Sequence, residues 1–413
     1  MRNNTKPIVA SVIVVIAALT GIFAFCSFKG KYGFKSEPQL QKPEVSLEKR
    51  SLQSRDQLTT RLCRDNLGSD TQKNAYDEIL KHAENADNER FHLNGATKND
   101  LQIAINAVRA DHPEVFWLDN ESCYRYYEYE DGITAELNYS MTGDELEEAQ
   151  SDLNSVVNQI IAQAPDNATD YDVELFINEY MIEACHYEPQ CDQKHSAYGA
   201  LVLGQAVCDG YSHAFQLLCR CLGIECTVIE GTSDFNEDAD DGHMWNCILL
   251  GDEWYHVDVT WNDVSNAACE AERYFYLNLD DSQILQDHII SGGFEQRMDN
   301  KGNYFNIFVP ECSSDLLCYM KMNFVTIADP EFDDQIIASL IDASRRRSTC
   351  CAYLINETRS FKELSGQIAD KYAAEWVKAA NHFTDGNPEI AENGRIITYE
   401  NKRVLVIMLS YTE

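Results

Sequence analysis

Residues 208–223 read CDGYSHAFQLLCRCLG, and the fold turns on what the three thiols in this stretch do. Tyr211, Ala214, Phe215, Leu218 and Leu222 recur at helical spacing, and Gly223 stands where a helix end accepts left-handed geometry. The spacing predicts a helix over 208–222 with Cys208 in its first turn. Cys219 and Cys221 read as space-filling or paired thiols, because free cysteine behaves as a small buried hydrophobe. Cys208 differs. A thiol at a helix N-terminus faces unpaired N–H groups and the positive end of the macrodipole, both of which favour thiolate.

Three strand-like runs follow: IECTVIEG (224–231), HMWNCILL (243–250) and EWYHVDVTW (253–261). Gly251-Asp252 between the last two is a hairpin dipeptide. The hairpin register sets Trp245 opposite Asp258 and His243 opposite Thr260, so His243 and Asp258 share a face as diagonal neighbours. Such neighbours lie within reach of an imidazole–carboxylate hydrogen bond. A thiolate on a helix, a histidine on one strand and a carboxylate on the next form a nucleophile–base–orienter set: Cys208, His243 and Asp258. His256 lies on a suitable face and is the rival base, whereas His213 sits well around the helix from Cys208.

The runs HSAYGALVLGQAVCDGYSHAFQLLCRCLGIECTVIEG (195–231) and GHMWNCILLGDEWYHVDVTWND (242–263) closely resemble the transglutaminase-like superfamily, over roughly residues 170–290. Position by position, the resemblance makes Cys208 in AVCDGY the nucleophile, His243 in GHMWN the base and Asp258 in YHVDVTW the orienter. DHPEVFW (111–117) and RYFYLNLDDSQILQDH (273–288) also look like exported bacterial members. Met244 stands where many members have alanine, a departure that would narrow the site and leaves the triad intact. The implied fold is α+β, with a papain-like core in which the nucleophile helix packs on an antiparallel sheet, an N-terminal helical region and a C-terminal α/β unit. The implied activity is that of a cysteine enzyme on amide bonds of peptides or proteins, with hydrolysis favoured slightly over transamidation. A non-catalytic binding module keeping the fold is the alternative. Gln205 and Trp245 are candidate oxyanion or substrate contacts beside the Cys208 N–H. Neither a metal nor an organic cofactor is required: no cysteine–histidine set has zinc-site spacing, and no EF-hand pattern occurs.

Working outward, the 413 residues are too many for one ordinary core, and 44% hydrophobic with 24% charged content is globular. With 68 Asp and Glu against 33 Lys and Arg, the net charge of −35 opposes nucleic acid and anionic surfaces. Residues 8–26 are uncharged and apolar, close to the roughly 20 residues that span a bilayer. Region 1–28 is therefore expected to be a membrane anchor, or alternatively a cleaved signal, with later residues outside the cytoplasm and a cell-surface peptide or protein as substrate. A linker is expected over 29–55, a mostly helical accessory domain over 56–165, the catalytic domain over 166–300 and an α/β accessory domain over 315–413. Of 15 cysteines, Cys185 with Cys191 and Cys312 with Cys318 are close enough in sequence to pair. The acidic loop DFNEDADDGH (234–243) reads as a solvated segment ahead of His243.

Overall fold

A computed structural model describes residues 37–43, 45–119, 122–233, 242–291, 306–331, 334–384, 388–392 and 394–412. The apolar run 8–26 and acidic residues 234–241 lie outside the described residues. Among the described residues no helix is long and apolar enough to cross a membrane. The chain divides into two compact units. The larger comprises Ser46–Val264 and Tyr276–Asp315; the smaller comprises Ser265–Phe275 and Leu316–Glu413 with the segment up to Val45.

In the larger unit, helices α1 (Asp70–Asn85) and α2 (Lys98–Asp111) pack with a sheet of β1 (Phe91–Asn94), β2 (Tyr124–Tyr129) and β3 (Gly132–Leu137), ordered β1-β3-β2. A three-stranded sheet thus joins the helices of the region expected to be mostly helical, and the alternation of β1 buries Phe91 and Leu93. Helix α2 opens with a reciprocal capping box between Thr97 and Asp100. Its last residue, Asp111, accepts the main-chain N–H groups of Cys63 and Arg64, both at 2.9 Å, and the Tyr76 hydroxyl at 3.1 Å. Trp117 Nε1 donates to the Ala83 carbonyl at 2.7 Å. The 111–117 motif is thus a brace for the helical region.

Helices α3 (Gly143–Ile161), α4 (Asp170–Ala184) and α5 (Cys208–Cys221) follow. Apolar periodicity forms α5, and Gly223 ends it at φ 70°. Gly210 is required in its first turn: a Cβ there would meet the Lys194 carbonyl at 2.4 Å and Ala206 Cβ at 2.7 Å. Its absence lets Cys208 be held close to the 194–206 segment. At the other end, Gln216 Nε2 donates to the carbonyls of Ala110 (2.7 Å) and Cys226 (3.2 Å), and Arg220 donates to those of Asp111 and Thr60. Through these bonds the helix is tied to the region before it, and the boundary expected at 165/166 falls inside one unit.

Strands β4 (Cys226–Ser233), β5 (Gly242–Leu250), β6 (Glu253–Val257), β7 (Leu277–Leu279) and β8 (His288–Ile290) form an antiparallel sheet ordered β7-β6-β5-β4-β8. The hairpin pairs Glu253 with Leu250 through Val257 with Asn246, the register read from the sequence. Helix α5 lies on β5, with Ser212 Oγ donating to the Met244 carbonyl at 3.0 Å and Asn246 Nδ2 to that of Ser212 at 3.0 Å. The core is therefore α+β, the helix that begins at Cys208 lying on an antiparallel sheet.

Glu174 of α4 is fully buried, with Oε2 accepting from Asn278 Nδ2 at 2.7 Å and Oε1 lacking a protein partner. Burial pushes its carboxyl up to about 8, against a small opposing effect of Asn278. The folded chain thus keeps a proton that the unfolded chain releases from its ordinary value of 4.5 upward. Stability should fall by roughly 1.4 kcal/mol per pH unit from there until about 8, then level off. Glu174→Gln keeps the shape without the charge, so its urea midpoint should exceed wild type at pH 8 and match it at pH 4. A difference that does not change with pH would refute this account.

In the smaller unit, β9 (Val325–Ile327), β10 (Cys350–Ile355), β11 (Ile396–Tyr399) and β12 (Val404–Met408) form a sheet ordered β9-β10-β12-β11. Helices α6 (Asp334–Arg346), α7 (Phe361–Gln367) and α8 (Ala373–Phe383) bury Leu340, Leu364 and Trp376 in a core with Tyr353 and Leu405. A wider helical turn, Ile368–Tyr372, joins α7 to α8. The short helix Tyr319–Asn323 precedes β9, and the Tyr319 ring stacks on Tyr274 at 4.2 Å. Cys269 and Cys350 form a disulfide in this unit. The pairings suggested by spacing do not occur: Cys185 is buried beside Tyr211, the Cys191 thiol donates to the Glu188 carbonyl, and Cys312 lies 3.7 Å from Cys247. Sequence proximity did not predict Sγ proximity, because Cys185 ends α4 facing the core while Cys191 lies in the turns beyond it.

Candidate active site

Cys208 is the first residue of α5 and is partly exposed. Its N–H points out of the helix, where no intrahelical acceptor exists. His243 is the second residue of β5 and is buried. Asp258 follows β6 where the chain leaves the ladder for the one-turn helix Val259–Asn262, and it is fully buried. Here the structure corrects the expected geometry. Thr260 sits in that helix, so it does not face His243 across a ladder; Asp258 reaches His243 as the helix N-cap, its Oδ1 accepting the Trp261 N–H at 3.0 Å. Asp258 Oδ2 accepts His243 Nε2 at 2.6 Å.

With Nε2 committed to Asp258, Nδ1 is the ring nitrogen left for Cys208, whose thiol is among the groups acting on the imidazole. Burial alone would make His243 harder to protonate, but the Asp258 charge and hydrogen bond, with Cys208, raise it to about 9. Burial likewise opposes ionisation of Asp258, yet His243 and His288 hold it well below the usual carboxylate range. A thiol and a carboxylate therefore both act on one imidazole, with the carboxylate held charged and the imidazole favoured to carry a proton.

The other sequence candidates fare differently. Trp245 is fully buried and its Nε1–H donates to His256 Nδ1 at 3.0 Å, so that donor is committed and does not serve an oxyanion. Its ring instead stacks beside His243 at 6.0 Å, while Trp261 flanks His243 at 6.1 Å. Gln205 lies in a two-residue strand paired with His186–Tyr187 and is exposed. His256, the rival base, is buried with Nδ1 accepting from Trp245 and Nε2 donating to Asp281 at 2.9 Å, so both nitrogens are engaged away from Cys208. His213 neighbours Asp209, Arg109, Gln216 and Glu114.

His288 escaped the sequence reading. Its Nε2 meets Asp258 Oδ2 at 3.0 Å, and its Nδ1 meets Asp287 Oδ1 at 2.7 Å. The signal was the Asp-His pair closing the 273–288 motif, but nothing local says that the strand it begins lies on the far side of β4. Among the described residues, two groups of side chains bring metal-type donor atoms within 4.8 Å of one another: His243, Asp258 and His288, and Cys247, His256 and Cys312. In the first, separations of 2.6 and 3.0 Å are hydrogen-bond lengths, so the donors serve one another. In the second, the Trp245 N–H already occupies the lone pair of His256 Nδ1.

Residues 154–259, which carry Cys208, His243 and Asp258, match the model of the transglutaminase-like superfamily. This chain carries a transglutaminase-like domain. Kyphoscoliosis peptidase of Homo sapiens is 25% identical over 126 residues, covering 24% of this chain and 19% of the human protein. Its Mus musculus counterpart is 30% identical over 92 residues, covering 20% of this chain and 13% of the mouse protein. The chain thus spans less than a fifth of either relative. A solved structure of a TGase aligns over 35% of this chain and 45% of its own, with 12% identity and a TM-score of 0.25. The transglutaminase-like domain lies wholly within the larger unit.

Proposed function

We propose that the transglutaminase-like domain is a cysteine-dependent enzyme that cleaves amide bonds in peptides or proteins, with Cys208 as nucleophile, His243 as acid and base, and Asp258 as orienter. One observation carries this reading: a buried imidazole neighbouring the helix-end thiol has its Nε2 on a buried carboxylate, Asp258, at 2.6 Å. His243 Nδ1 takes the thiol proton as Cys208 Sγ attacks the substrate carbonyl carbon, and the Cys208 N–H supports the oxyanion. Collapse breaks the C–N bond as His243 Nδ1 gives its proton to the leaving amine. The thioester is then attacked by water, His243 takes the water's proton, and the C–S bond breaks to release the acid and restore the thiol. Throughout, Asp258 keeps Nε2 protonated and so presents Nδ1 to the reacting atoms.

Water is favoured over an amine as the second nucleophile because Cys208 is partly open to solvent. The peptidase names of both curated relatives agree with this choice. Incubating the protein with a glutamine- and amide-containing peptide mixture plus excess primary amine, and separating products by mass, tests it. Free acid should dominate. A dominant amine adduct would make the enzyme a transamidase, and turnover unchanged in Cys208→Ala would remove the cysteine mechanism altogether.

A further inference from the structure

Behind Asp258 the hydrogen bonds continue inward. Oδ2 accepts His288 Nε2 at 3.0 Å beside the bond from His243, the other ring nitrogen of His288 meets Asp287 Oδ1 at 2.7 Å, and Asp287 Oδ2 accepts the Tyr276 hydroxyl at 2.7 Å. Asp258, His288 and Asp287 are all buried. They come from three places: the end of β6, the start of β8 and the residue before it.

An imidazole with a carboxylate oxygen at each nitrogen bonds both only if each nitrogen carries a proton, which makes the ring a cation. The ionisable groups facing His288 are Asp258 from β6, His243 from β5, Asp287 from its own segment and Tyr276 from the start of the 276–315 stretch; Trp245 and Trp261 close the remaining sides. Burial opposes charging His288, but its bonds and charge interactions with Asp258 and Asp287 outweigh that. Burial also keeps Tyr276 a neutral hydroxyl, so it donates to Asp287 without adding charge.

We infer that His288, held by Asp287, is a positioning residue of this site: it fixes the Asp258 carboxylate by a second N–H and offsets part of the charge that Asp258 presents to His243. The inference rests on the proposed thiol–imidazole function and adds a control to it. The hydrogen bonds of His288 go to Asp258 and Asp287, not to His243 or Cys208. It acts through Asp258. The ring centroids of His243 and His288 are 5.3 Å apart, close enough for a positive charge on one to weaken proton binding by the other.

Asp287→Asn tests the charge with the shape kept. The amide of residue 287 would donate to Nδ1, leaving His288 neutral with its Nε2–H still on Asp258. His243 should then hold its proton to higher pH, by about one unit. The readout is the pH dependence of alkylation at Cys208 by iodoacetate, an anion whose attack the neighbouring imidazolium favours, followed by mass spectrometry of the peptide that contains it, so no substrate is needed. Its alkaline limb, where the imidazolium is lost, should move upward in Asp287→Asn. His288→Gln, which keeps an N–H for Asp258 and removes the charge, should move it the same way and serves if the first variant does not fold. A limb that stays in place, or moves down, overturns the inference even if thermal stability falls. Wild-type Cys208 showing no imidazole-dependent limb at all would instead refute the proposed function, so the two failures are distinguishable.

Discussion

Cys208→Ala should lose turnover by at least about 10⁴-fold while the protein keeps its fold. The residue begins α5 and is partly exposed, so trading the thiol for a methyl group opens no sizeable cavity, and alanine suits a helix start at least as well. The loss would come from chemistry alone, because nothing else at the end of α5 could form the covalent intermediate. Substrate binding should survive. The check is steady-state turnover beside thermal melting. A variant that retains a hundredth or more of wild-type activity would mean another group attacks the carbonyl.

Asp258→Asn should lose about 10³- to 10⁴-fold in turnover, and here structure adds an effect that sequence alone hides. Three N–H groups converge on this carboxylate: those of Trp261, His243 and His288. Asparagine has one acceptor oxygen and turns an NH₂ group toward at least one of these donors. If the NH₂ faces His243, the imidazole must shift its proton to Nδ1, the nitrogen that should take one from Cys208. The buried mismatch also lowers stability, by about 1–3 kcal/mol for each unsatisfied donor. Melting temperature and turnover should both fall, but turnover measured well below the melt should remain lost. Near wild-type activity in a folded Asp258→Asn protein would show that another residue orients His243.

Much of the site was legible in the chain because its main signals are local. Helical spacing from Tyr211 to Leu222 set α5 and put Cys208 at its start, and the Gly251-Asp252 turn set the register of β5 against β6. Period and turn chemistry determine such features over a few residues. The alternation that runs on past Val257 in the sequence does not continue the strand, which ends there. Instead Asp258 gives its N–H to the Tyr276 carbonyl, 18 residues on, at 3.0 Å while its side chain caps the next helix. Trp245 looked like an open donor until His256, on the paired strand, took its N–H.

By itself, then, the sequence determined the α5 helix, the hairpin and the three residue types that could combine as thiol, base and carboxylate. Only the tertiary structure decided how they are wired: that His243 meets Asp258 through Nε2, that Asp258 caps a helix, and that His288 and Asp287 stand behind it. The reason is the range of the forces involved. Helix and turn preferences act between residues within about four positions, whereas a buried hydrogen bond forms between whichever polar groups packing brings together. His288 lies 30 positions beyond Asp258 and reaches it only because β8 pairs with β4 at the sheet edge. No local pattern encodes that pairing.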